Sequence, residues 1–307
     1  MKIYDSVTQL IGRTPLLRLR KMENTFGAAG EIIGKLESFN PAGSVKDRVG
    51  FNMVIEAEKS GRLRPGGTII EPTSGNTGVG IAMTAAARGY RAIMVMPESM
   101  SVERRKLLKA LGAELVLTPK EKGMQGSVEK AAELAEETEG SMIAGQFENP
   151  HNPQAHYNTT GPEIWEDTDG QVDIFVSAFG TGGTVSGTGR FLKEKNPNVK
   201  IIAVEPAASP LLTSGKAGPH KIQGIGANFI PEVLDRDIID EIITAGDDEA
   251  FDTMRKLALE EGVLAGISSG AAVWAAGVVA AREENRGKKI VVILPDTGER
   301  YLSIIDE

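Results

Sequence analysis

The sequence predicts an α/β protein with two open, twisted, mostly parallel sheets flanked by helices and an active-site cleft between two domains. Three observations lead there. Strand-like and helix-like segments alternate almost to the end of the chain. The strands are near-continuous apolar runs, the pattern of strands covered on both faces. Finally, several strands are followed by glycine- and hydroxyl-rich loops that run straight into helices, and open α/β sheets bind ligands beyond the carboxyl ends of their strands.

In order, a short N-terminal arm ends in Gly12-Arg13-Thr14-Pro15-Leu16-Leu17, and the first aliphatic strand covers residues 32–36. A helix over 44–60 follows the turn marked by Pro41 and Gly43. Ser44 is placed to cap it, Val45, Val49 and Met53 recur at helical spacing, and Gly61 closes it. Apolar strands at 68–71, 91–96, 114–117 and 141–144 then alternate with helical patterns at 77–88, 102–111 and 126–138. Turn-formers cluster in Phe147-Glu148-Asn149-Pro150-His151-Asn152-Pro153. Beyond them the helices at 153–167, 184–195, 248–261 and 269–285 alternate with strands at 173–177, 200–205, 240–244 and 288–294. The strands thus divide about this cluster, which fits two sheets better than one very wide sheet. No heptad, low-complexity segment or fixed-period repeat is present.

Composition removes several kinds of chemistry. The 307 residues include no cysteine, which excludes disulfides, thiolate nucleophiles and cysteine-built metal sites together. The three histidines, His151, His156 and His220, lack the i, i+4 spacing of a helical metal site and read as ordinary loop or helix-surface residues. A net charge of −8 argues against a nucleic-acid partner, and the basic run Arg104-Arg105-Lys106 with Lys109 reads as a solvated helix face. Residues 1–5 lack the apolar core of a signal peptide, and the apolar run 271–281 is short for a bilayer crossing. A soluble, cytoplasmic protein is expected.

Lys46 lies in the first turn of helix 44–60. Unpaired N–H groups there disfavour a cation, so an ammonium is easier to deprotonate, and a neutral amine is what Schiff-base chemistry needs. A solvated surface lysine flanked by Asp47 and Arg48 is the plainer alternative. Two loops bear on the choice. Pro72-Thr73-Ser74-Gly75-Asn76-Thr77-Gly78 brings hydroxyls, an amide and two glycines to a helix N-terminus, the makings of an anion pocket. Gly180-Thr181-Gly182-Gly183-Thr184 lets backbone N–H groups converge on a phosphate at another helix start. The dinucleotide reading has Gly180, Gly182 and an acid, Glu205, at the end of the next strand. It meets Val185 where the third glycine is required. A Walker loop fails because Thr188 stands in place of lysine.

These motifs, with Ile11-Gly12-Arg13-Thr14-Pro15-Leu16, Asn40-Pro41-Ala42-Gly43-Ser44-Val45-Lys46-Asp47-Arg48, Met96-Pro97-Glu98, Glu103-Arg104-Arg105, Ile222-Gln223-Gly224-Ile225-Gly226-Ala227 and Gly266-Ile267-Ser268-Ser269-Gly270, resemble the cysteine synthase (O-acetylserine sulfhydrylase) family of fold-type II pyridoxal-phosphate enzymes over essentially the whole chain. The resemblance implies pyridoxal 5'-phosphate held by Lys46 as an internal aldimine. Asn76 would meet its phenolic oxygen, Gly180, Thr181, Gly182, Gly183 and Thr184 its phosphate, and Ser268 its pyridine nitrogen. It also implies Thr73, Ser74, Thr77 and Gln146 on the substrate α-carboxylate and Gly224 beside its amino group and β-substituent. The implied reaction is β-replacement of acetate in O-acetyl-L-serine by sulfide through an aminoacrylate, with Lys46 as base and acid. No residue supports a metal site.

The domains are then expected at 1–12 with 36–150, a smaller unit carrying Lys46 and the carboxylate loop, and at 13–35 with 151–307, a larger unit carrying the phosphate loop. A homodimer is implied, and a complex with serine acetyltransferase is a possible further partnership. Cystathionine β-synthase or a related serine or cysteine β-replacement activity shares all these motifs; a nicotinamide-dependent oxidoreductase is the more distant alternative. Ser177-Ala178-Phe179 departs from the Ala-Gly-Val common in the family, and this is expected to alter volume near the cofactor.

Overall fold

A computed structural model describes residues 3–305 apart from Ser74, with every side chain in that span except those of Glu103 and Ile305. The first half contains β1 (Leu16–Arg18), α1 (Arg20–Phe26), β2 (Glu31–Leu36), α2 (Lys46–Lys59), β3 (Thr68–Pro72), α3 (Asn76–Arg88), β4 (Arg91–Pro97), α4 (Val102–Ala110), β5 (Glu114–Thr118), α5 (Gly123–Glu137) and β6 (Ser141–Ile143). It continues with α6 (His151–Asn158), α7 (Thr160–Asp167), β7 (Ile174–Ala178), α8 (Gly183–Lys195), β8 (Lys200–Pro206), α9 (Leu211–Ser214), β9 (Glu241–Ala245), α10 (Asp247–Lys256), α11 (Ile267–Ala280), β10 (Lys289–Leu294) and α12 (Leu302–Ile305). Two compact units result: Met1–Ile11 with Asn40–Asn152, and Gly12–Phe39 with Pro153–Glu307.

The first unit holds a parallel sheet in the order β5-β4-β3-β6. Successive residues of its central strands serve opposite faces, the two-residue period of a strand. Ile69 and Met94 pack with Val49 and Met53 of α2 and with Val79 and Ile81 of α3. Ile70, Ile93 and Val95 turn the other way and pack on Ala131 of α5. Each such aliphatic side chain, once fully buried, contributes about 1.5–3 kcal/mol.

The second unit holds a sheet in the order β1-β2-β10-β7-β8-β9, parallel except for β1, which runs antiparallel to β2. Ile32, Val176 and Val292 face the alanine-rich α11, whereas Phe175, Ile201 and Val291 face Ile164 of α7 and Val185 and Leu192 of α8. Both sheets are therefore covered on both faces, the α/β class expected from the alternating pattern. The apolar run at 271–281 is spent in α11, a core helix. Among the described residues no helix is long and apolar enough to cross a membrane.

The elements depart from expectation at identifiable places. The helix expected over 153–167 is two helices, broken at Thr159, whose backbone leaves the helical region at φ −130° and ψ −66°. Pro162 explains the break: in one continuous helix it would lack the bond to the Asn158 carbonyl and its ring would collide with that group. The helix expected over 248–261 ends its regular part at Lys256 and finishes in a π-helical turn, Leu257–Glu261. The one expected over 269–285 stops at Ala280 and is followed by a separate 3₁₀ turn at Glu283–Asn285.

Neither β1 nor α1 is expected from sequence. β1 is three residues on a sheet edge, too short to show a period. No side chain next to α1 caps it; Glu261 does, its Oε1 accepting from Lys21 N at 2.7 Å and Met22 N at 3.1 Å.

Candidate active site

In the first unit, Lys46 is the first residue of α2 and half-buried. The turn before it is tied down from three sides. Gly43 N donates to Asn40 O at 2.8 Å, Ser44 Oγ accepts from Lys46 N at 3.2 Å, and the buried Asp47 accepts from Ala42 N at 2.6 Å. An acid in the first turn also suits the helix dipole. The helix starts two residues later than expected, with Ser44 still supplying an acceptor for its first N–H.

Helices α2 and α3 touch through their backbones. A Cβ built on Gly50 would stand 2.7 Å from Gly80 C, and one on Gly80 would stand 2.5 Å from Lys46 O. This crossing holds Lys46 close to the first turn of α3, where Asn76 and Thr77 lie. Sequence reading passed over both glycines, since each looks like an ordinary helix-interior residue.

The loop from β3 to α3 is built on hydroxyls. Thr73 N donates to Val95 O at 3.0 Å, and Thr73 Oγ1 accepts from Gly75 N at 3.3 Å. Thr77 Oγ1 donates to Gln146 Oε1 at 2.6 Å. Thr73, Thr77 and Gln146 are buried and Asn76 is half-buried; Ser74 lies outside the described residues.

Glu71, which sequence reading also missed, anchors the far side of this group. Its carboxylate accepts from Gly145 N at 2.8 Å and from Gln146 N at 3.4 Å. The residue is 1% exposed. Burial pushes its carboxyl up to about 7, against the pull of these hydrogen bonds, and the nearby Glu148 charge adds to the rise. The one signal in the sequence was an acid closing an otherwise aliphatic strand.

A raised folded-state value means that the folded chain binds the extra proton. Glu71 thus contributes stability that is fully present below its ordinary value of 4.5 and is lost as pH rises through about 7. Relative to Glu71→Gln, the wild type is expected to lose on the order of 3 kcal/mol across that window. Denaturant midpoints of both proteins between pH 4.5 and 8 check this; parallel curves would refute it.

In the second unit the strand β7 delivers the loop from Gly180 to Thr184. Gly182 has φ +86°, a left-handed backbone that favours glycine, and it caps α8. Thr181 Oγ1 accepts from Gly183 N at 3.3 Å. Thr184 Oγ1 lies 3.2 Å from Nε2 of the buried His156, whose Nδ1 lies 2.9 Å from Thr160 Oγ1. His156, expected as an ordinary surface residue, is thus a core histidine braced against this loop.

A Cβ on Gly180 would approach Gly224 O at 2.5 Å, so the loop around residue 224 packs directly on this one. Gly224 itself has φ +94°, and among the described residues the atom within 4 Å of a Cβ built there is Ser268 Oγ, at 3.8 Å. Ser268 is the second residue of α11. The unit therefore brings together two helix N-termini, with the loop around Gly224 packed on the first and within van der Waals reach of the Ser268 hydroxyl at the second. Phe179, where the sequence departs from the family pattern, turns its ring into the core beside Val185 and Leu234.

These features fit pyridoxal phosphate. The start of α8 suits a dianionic phosphate, Ser268 offers a neutral hydroxyl to a ring nitrogen, and the first unit presents an amine at a helix start beside hydroxyl and amide donors. The dinucleotide alternative loses its acid. Glu205 spends its two oxygens on Leu212 N at 2.9 Å, Thr213 N at 3.1 Å and Thr213 Oγ1 at 2.6 Å. Among the described residues no group of three acidic or histidine side chains could hold a metal ion.

Comparison with known proteins agrees in kind. The family model described as "Pyridoxal-phosphate dependent enzyme" matches residues 7–296. Cysteine synthases from Staphylococcus aureus strains Mu50 and N315 are each 52% identical over 303 residues, 98% of this chain and 96% of theirs. The crystal structure of a cysteine synthase from Entamoeba histolytica superposes with a TM-score of 0.96 at 49% identity, covering 99% of this chain and 90% of that one. An O-ureido-L-serine synthase superposes with a TM-score of 0.94 at 48% identity, covering 98% and 94%.

Proposed function

The chain belongs to the pyridoxal-phosphate dependent enzymes, and on that premise we propose that it is a cysteine synthase, exchanging the acetate of O-acetyl-L-serine for sulfide to give L-cysteine. The observation that carries the reading is the 52% identity with cysteine synthases across 98% of the chain. When bound, pyridoxal phosphate supplies the electron sink that lets the α-proton and the β-substituent leave.

The chain's own residues do the rest. Lys46 would hold the cofactor, and its Nζ would take the proton from Cα and later return it. The Cβ–O bond breaks with release of acetate, and a Cβ–S bond forms with sulfide. Thr73, Ser74, Thr77 and Gln146 would hold the α-carboxylate with hydroxyl, amide and backbone N–H donors at the start of α3, Thr77 through its backbone because its hydroxyl proton goes to Gln146. Asn76 would meet the cofactor's phenolic oxygen, and residues Gly180, Thr181, Gly182, Gly183 and Thr184 would hold its phosphate. Ser268, a neutral hydroxyl, would serve the pyridine nitrogen without forcing it to stay protonated, which favours elimination over transamination. Gly224 leaves room beside the amino group and the β-substituent.

A homodimer in the cytoplasm, open to a serine acetyltransferase partner, completes the reading. Its test is a comparison of kcat/KM for O-acetylserine with sulfide against serine with homocysteine. The first pair is expected to win by at least about tenfold; the reverse order would assign the chain to the cystathionine-forming class instead.

A further inference from the structure

Glu71 does work that the reaction scheme leaves unassigned. It is the penultimate residue of β3, two residues before Thr73, and its carboxylate is buried with no cation among the described groups acting on it; Glu148 is the charged neighbour, and it is of like sign. Burying a carboxylate there costs stability as pH rises, so an aliphatic residue continuing Ile69-Ile70 would be the less costly choice.

What the acid gains is control of one side chain. Gly145 N and Gln146 N both donate to it, which pins the turn that follows β6, where Gly145 has φ +69°. Asn152 Nδ2 pins the same turn from the other side, donating to Gln146 O at 2.7 Å. The Gln146 amide oxygen takes the Thr77 hydroxyl at 2.6 Å, which turns the amide nitrogen away from Thr77. The N–H groups on that nitrogen are then the ones left to be offered to a ligand. With the amide flipped, its oxygen would face an incoming carboxylate and repel it.

The geometry points to Glu71 as a positioning residue for substrate-carboxylate recognition, one that fixes the backbone at Gly145 and Gln146 so that the Gln146 amide, turned by Thr77, presents an N–H and not the carbonyl oxygen to the ligand. This rests on the assignment of Thr77 and Gln146 to the α-carboxylate, so the experiment separates the two. The holoenzyme is titrated with L-norvaline, an amino acid with no β-leaving group, and with L-norvalinamide, which lacks the carboxylate; binding is read from the change in cofactor absorbance.

Glu71→Ala is expected to weaken norvaline about tenfold or more while changing norvalinamide less than about twofold, the loss of one hydrogen bond to a charged group. Glu71→Gln keeps the volume and one acceptor oxygen, and is expected to lose at least about threefold of the carboxylate preference. It decides the matter if the alanine variant fails to fold. Gln146→Ala is the control. If it loses the preference and both Glu71 variants keep it, the positioning role is overturned and the pocket stands. If Gln146→Ala also keeps the preference, the pocket assignment falls, and the role of Glu71 falls with it.

Discussion

Lys46→Ala is expected to lower turnover about a thousandfold or more and to leave the purified protein without the visible absorbance of a lysine-bound cofactor. The size follows from the amine's two tasks. Loss of a positioned general base alone costs about a hundred- to ten-thousandfold, and here the same group also anchors the cofactor. The variant should otherwise be sound. Lys46 is half-buried at the first position of α2, alanine favours helices, and the Ser44, Asp47 and Gly80 contacts of this turn use backbone atoms of residue 46 or none of it. Circular dichroism and the thermal midpoint should therefore change little. A variant that stays coloured and turns over at close to the wild-type rate would remove Lys46 from the chemistry.

Gly80→Ala is expected to destabilise the chain by about 2 kcal/mol or more and to reduce cofactor retention. Two effects compete. In an exposed helix the same change would stabilise by about 1 kcal/mol, because glycine is the poorer helix former. Here the new methyl would lie 2.5 Å from Lys46 O, 2.9 Å from Lys46 C and 3.1 Å from Asp47 N. All three are backbone atoms, so no rotamer change relieves the clash, and one helix must move. Displacing the first turn of α2 displaces Lys46 itself. Denaturant midpoints and the cofactor-to-protein ratio measure both consequences, and a midpoint at or above that of the wild type would show that the helices separate without strain.

Much of this is legible in the chain itself because it depends on near neighbours. The glycines around Gly182, the hydroxyls around Thr77 and the placement of Lys46 at a helix start follow from local backbone preference and from what short side chains allow. The break at Thr159 was legible too, through Pro162, and was passed over because the apolar period runs on through it. Other features had no local sign. Glu261 caps α1 from the far end of the sequence, and His156 looks like any helix histidine until Thr184 is set against it.

By itself, then, the sequence determined the α/β class, since apolar period is a property of short windows, and its motifs implied the kind of chemistry through their resemblance to a known family. Only the tertiary structure decided that Gly80 presses on Lys46, that Gly224 lies against Ser268 and that Glu71 holds the backbone of Gln146. The reason is physical: close packing and burial are set by residues tens to hundreds of positions apart, and a window that contains one partner does not contain the other.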